Sequence, residues 1–221
     1  MQKVSLVLIL VGVFFFLVYL LLLFLTDRKK EKGDRCSFLN SFGYQYYSSF
    51  PVFERSLCYI SLFLSSFLVA VGEAMYFSSL HSYFFLVLSF AFPFSLLFLA
   101  FCNVIPLSRY KPHIFLAAMG FVFFSLSCLA YSFSTLIPGA VLYKDSVLLF
   151  SQVILGVIGV LSFFSIFNPR LLDWPKMTKS EVNGTTYYLK PKVNHLALYE
   201  WVFLFLEMLV GLVLVINGMM F

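Results

Sequence analysis

The sequence predicts an all-α membrane protein of about six transmembrane helices, and three observations carry that prediction. Of 221 residues, 62% are hydrophobic and 11% are charged, where an ordinary soluble domain has about half and about a quarter. The apolar residues gather into six stretches of the length that crosses a hydrocarbon core roughly 30 Å thick. Lysine and arginine concentrate in alternate connections between those stretches. With a mean hydropathy of +0.96, the chain has too few polar side chains to cover its apolar surface in water.

The first stretch, 4–26, contains VGVFFFLVYLLLLFL and runs straight into Asp27-Arg28-Lys29-Lys30-Glu31-Lys32. A signal peptide has an apolar region of about 7–15 residues followed by a small-x-small cleavage site. This run is longer and lacks such a site, so it reads as an uncleaved span. The others are 57–79, 83–105, 114–137, 146–167 and 198–221. Each is too long for a barrel strand and none alternates apolar with polar residues. A helix satisfies its own backbone in lipid. The chain therefore reads as a single polytopic membrane domain, 1–221.

Charge orients these spans. Loops 27–56, 106–113 and 168–197 hold thirteen of the fifteen Lys and Arg residues: Arg28, Lys29, Lys30, Lys32, Arg35 and Arg55 in the first, Arg109 and Lys111 in the second, and Arg170, Lys176, Lys179, Lys190 and Lys192 in the third. The opposite side holds Lys3 and Lys144. Positively charged short loops stay cytosolic. Both termini are therefore expected on the non-cytosolic side, with the plasma membrane as the expected location. The net charge of +5 belongs to these loops and not to a nucleic-acid site.

Two of the loops have substance. Loop 27–56 ends in SFLNSFGYQYYSSF, whose Tyr44, Tyr46, Tyr47 and Phe50 suit the headgroup layer. Loop 168–197 carries Pro169, Pro175, Asn183-Gly184 and Pro191, all turn signals. A hairpin around Asn183-Gly184 is predicted, with Thr185–Leu189 as one strand. Asn183-Gly184-Thr185 also matches the glycosylation acceptor pattern, but on the cytosolic side it reads as a turn. Asp173, Trp174 and Pro175 form a candidate docking turn.

Ionisable groups inside the spans are few. An acid at the centre of a transmembrane helix costs on the order of 3 kcal/mol on insertion scales, so each needs a reason. Glu73 lies roughly 7 Å to the outer side of the second span's middle, and Glu207 roughly 4 Å to the cytosolic side of the last span's middle, at 1.5 Å per residue. Glu200 lies near an interface. Seven residues make nearly two turns, so Glu200, Glu207, Gly211 and Gly218 share one face, which should meet a neighbouring helix or a cavity. The acids are either relay points for a proton or cation or hydrogen-bonding glue between helices.

Weaker candidates are Gln152, on one face with Gly156 and Gly159, and Pro93, which should kink the third span and would, if the helix broke there, expose carbonyls to a solute. Ser61, Ser65 and Gly72 form a small-residue packing face. Asn103 and Asn217 sit near span ends. Cys36, Cys58, Cys102 and Cys128 form no CxxC pair, and His81, His113 and His195 are scattered. Neither a disulfide nor a metal site is predicted, no cofactor is implied, and no catalytic motif appears.

The first expectation is a multi-pass protein acting as a non-catalytic subunit or accessory component of a membrane complex. Its partners would be the bilayer, other membrane subunits, or a cytosolic protein at loops 27–56 and 168–197. The alternative is a small-solute or ion transporter, proton-coupled, that uses Glu73 and Glu207. An intramembrane enzyme ranks third.

Overall fold

A computed structural model describes residues 2–28, 51–80, 83–105, 110–136, 146–169, 171, 178–182, 185–189 and 195–219. Six α-helices account for most of these: α1 Gln2–Arg28, α2 Val52–Ser78, α3 Tyr83–Cys102, α4 Tyr110–Ser132, α5 Ser146–Ile166 and α6 His195–Met219. A short 3-10 turn, Phe133–Leu136, extends α4. Five of the helices, α1 to α4 and α6, are long and apolar enough to cross a membrane, and α5 contributes a shorter apolar segment, Phe150–Ile166. The chain thus has the helices of a multi-pass membrane protein.

Between α5 and α6 lies the one irregularity that the sequence anticipated. Strands β1 (Thr178–Val182) and β2 (Thr185–Leu189) pair antiparallel, with Val182 opposite Thr185 and Thr178 opposite Leu189. Two residues, Asn183 and Gly184, separate the strands. The aromatic part of loop 27–56 and the Asp173-Trp174-Pro175 turn lie outside the described residues.

The outer surface is apolar, unlike that of a water-soluble protein, and it covers a core that is itself largely apolar. Large apolar side chains point outward, as with Leu10, Phe14, Leu17, Leu21 and Phe24 along α1. Serines point inward: Ser65, Ser66, Ser95 and Ser125 have no exposed surface. Lipid competes for apolar side chains as well as a core does, so small residues that let helices approach hold such a bundle together. The α1–α2 interface shows this most plainly. A Cβ placed on Gly12 would lie 2.6 Å from the Val69 side chain and 2.9 Å from its backbone nitrogen. One placed on Gly72 would lie 2.6 Å from Ile9 and 2.9 Å from the Ser5 carbonyl.

Helix α6 organises the bundle. Consecutive helices α1 to α5 each pack on the next, and α6 touches all five. Trp201 of α6 stacks on Tyr19 of α1, their centroids 6.0 Å apart. Two positions on, Phe203 meets Phe121 of α4 at 4.2 Å. These aromatic contacts on two sides fix the helix rotation and turn the Glu200–Glu207 face inward. Pro93 lies within α3, which continues unbroken on both sides of it. The break that would have exposed carbonyls does not occur: proline removes one backbone donor, and neighbouring helices tolerate that loss within a bundle.

Candidate functional site

Three polar groupings follow one another along the inward face of α6. At the end where α6 begins, Glu200 Oε1 lies 2.9 Å from Nε2 of His113 on α4. The Cys102 thiol, at the end of α3, lies 3.4 Å from each of these two atoms. The other ring nitrogen, Nδ1, lies 3.3 Å from the Ile105 carbonyl. A carbonyl only accepts, so Nδ1 carries a hydrogen and donates it.

Two turns further along α6, Glu207 has no exposed surface and neither has Glu73 of α2. The Ser95 hydroxyl of α3 donates to Glu207 Oε1. Among the described residues, Glu207 Oε2 and both carboxyl oxygens of Glu73 have no hydrogen-bond partner. The two acids lie within electrostatic reach of each other, and Cys128 of α4 lies within reach of both. This is the central feature of the interior. An unpaired charge in an apolar medium costs far more than one insertion-scale penalty, so this pair needs a proton or a cation to sit stably where it is.

Towards the far end, Asn217 Nδ2 donates to the Tyr76 hydroxyl of α2 at 3.0 Å and to the Tyr131 hydroxyl of α4 at 3.3 Å. Tyr131 continues to Ser151 of α5 at 3.2 Å. Nearby, Gln152 of α5 donates to Ser134 at 2.8 Å. From Glu200 to Asn217 the rise is seventeen residues, or roughly 25 Å. The polar face of α6 thus runs through most of the bundle's height.

The structure brings Glu73 and Glu207 together but leaves Glu200 at a separate layer. Gln152 belongs to the α4–α5 contact, where Gly156 and Gly159 also face Ser132 and Leu129. Pro93 is buried and places no polar atom in these layers. Asn217, near the end of its span, is buried and faces the interior, where it meets Tyr76 and Tyr131.

The expectation that cysteines and histidines would not gather is corrected for one set. Cys102, His113 and Glu200 are buried, with one possible ligand atom from each lying within 4.8 Å of the others. The reason is the position of the helix ends. Helix α4 begins at Tyr110 and not at 114, so His113 lies in its first turn and inside the bundle. Pro112 is the signal that reveals this, since proline favours the first turn of a helix. Ser95 and Cys128 carried no signal, because neither differs in sequence from the serines and cysteines that only pack.

No protein family, no curated protein and no solved structure matches this chain.

Proposed function

We propose that this chain is a proton-coupled carrier of a small solute or ion, with Glu73 and Glu207 as its intramembrane binding pair. One observation carries the reading: two carboxyls from separate helices share the interior, and three of their four oxygens have no hydrogen-bond partner among the described residues. Acids that served only as glue would be expected to engage those oxygens with donors on the facing helix. Intramembrane acids of this kind mark ion or proton paths.

Ser95 gives the pair a way to respond to protonation. Its hydroxyl has one hydrogen and two acceptors, Glu207 Oε1 and the Phe92 carbonyl at 2.7 Å. With a proton on Glu207, the acid donates to Ser95 and Ser95 donates to Phe92. With Glu207 charged, Ser95 turns to the carboxylate and leaves Phe92. Loading and release of the proton thereby change a contact between α3 and α6.

In this reading the chain crosses the membrane six times, with α5 as the fifth crossing. Loops 27–56, 106–113 and 168–197 face the cytosol and both ends lie on the other side of the plasma membrane. The alternation of basic loops supports this arrangement.

The test is proton flux into liposomes holding the purified protein and a trapped pH dye. Glu73→Gln and Glu207→Gln are each expected to abolish flux while the protein elutes and inserts as before. Flux retained in both variants would remove the reading.

A second reading, the non-catalytic subunit of a membrane complex, draws on one feature of the surface. Between α1 and α6 runs an apolar groove of about 460 Å³, lined by residues such as Phe16, Leu20, Phe205 and Leu209. A partner helix seated there would co-purify stoichiometrically in mild detergent. A lone, monodisperse chain that moves protons would exclude it.

A further inference from the structure

We propose that Cys102, His113 and Glu200 form a binding site for a divalent transition metal of the zinc type, with a fourth position open to water or another ligand. The site is independent of the Glu73–Glu207 reading, since it lies two turns away along α6.

The donor set suits such an ion. Thiolate sulfur, imidazole nitrogen and carboxylate oxygen are the three ligand types of zinc proteins, bound at about 2.3, 2.05 and 2.0 Å. Around a tetrahedral ion those lengths put sulfur about 3.5 Å from the nitrogen and the oxygen, and nitrogen about 3.3 Å from oxygen. The observed separations are 3.4, 3.4 and 2.9 Å. The ligands need only open by a few tenths of an ångström, most of it between His113 and Glu200.

The surroundings fit as well. Metal-bound histidines usually donate their second ring N–H to a carbonyl or carboxylate, which fixes the tautomer. Here Nδ1 of His113 donates to the Ile105 carbonyl, so the Nε2 electron pair faces Cys102 and Glu200. Without a metal, a proton shared by Nε2 and Glu200 Oε1 and the thiol hydrogen of Cys102 hold the three atoms together, and a divalent cation would take the place of both. A divalent ion balances one thiolate and one carboxylate to zero net charge, which favours a site whose members are 0%, 2% and 1% exposed. Binding would release the thiol proton of Cys102 and the proton shared by His113 and Glu200, as ligation generally does.

Three helices supply the ligands: the end of α3, the first turn of α4 and the first turns of α6. A bound ion therefore ties the same end of three helices together. Three protein ligands leave a tetrahedral ion one free position, the arrangement of reactive rather than closed structural zinc sites.

Cobalt(II) serves as the probe, on the full-length chain in nanodiscs. One equivalent is expected to bind per chain, with a thiolate-to-cobalt charge-transfer band that zinc(II) displaces. Cys102→Ser should abolish the band and weaken binding by about tenfold or more. Glu200→Gln should weaken binding while the band persists at saturating cobalt. Cys58→Ser and Cys128→Ser should change neither. A wild-type chain that takes up no stoichiometric cobalt or zinc overturns the proposal without reference to any variant. So does a charge-transfer band that survives Cys102→Ser.

Discussion

Ser95 and Glu207 lie 112 residues apart in the chain, and the Ser95 hydroxyl donates across the α3–α6 interface to Oε1 of Glu207. The second oxygen of Glu207 has no hydrogen-bond partner among the described residues. This contact links the acid on the central helix to the segment of α3 just beyond Pro93.

Ser95→Ala should therefore lower proton flux without abolishing it, leaving a rate between those of wild type and Glu207→Gln. A stability loss of about 0.6–1.7 kcal/mol is expected, the range measured for hydrogen bonds between transmembrane helices. Stopped-flow flux in liposomes and thermal unfolding in detergent measure the two effects. Flux equal to wild type would show that Ser95 only packs.

Gly12→Ala should destabilise the bundle by about 1–3 kcal/mol, the usual cost of overpacking. The added methyl meets Val69 on both its side chain and its backbone nitrogen, so the neighbour has little freedom to yield. Leu17→Ala, on the outward face of the same helix, is the control. Leu17 is 57% exposed, and its loss should move the unfolding midpoint far less.

Tyr76→Phe should be mild, costing about 0.6 kcal/mol, because Asn217 keeps its donation to Tyr131. Tyr76→Phe with Tyr131→Phe should cost more than the sum of the single changes. The double variant strands a buried amide, and an unsatisfied group loses about 1–3 kcal/mol. A double-mutant cycle on unfolding free energies measures the excess. Strict additivity would mean that Asn217 finds another partner.

Topology has its own check. Tags at the two ends should be protected together from, or exposed together to, a protease added from outside, and a tag within 27–56 should behave oppositely. Ends on opposite leaflets would mean that one of the six crossings is absent.

The sequence by itself determined the solvent, the helical class and the element order. Long apolar runs and sparse charge leave a chain no alternative to helices in lipid, and these are local properties that need no partner. It also located the hairpin, because Asn183-Gly184 encodes a turn in its own backbone preferences. It gave Glu200 and Glu207 a common inward face through helical spacing alone. Which groups those acids would meet was decided only by tertiary structure. Helix rotation in a bundle depends on aromatic contacts such as Tyr19–Trp201 and Phe121–Phe203, whose members are far apart in sequence. A start four residues earlier than the apolar pattern suggested moved His113 from a flank into the interior. Ser95 and Cys128 became neighbours of the acids for the same reason: three-dimensional packing, not residue type, selects one serine from many.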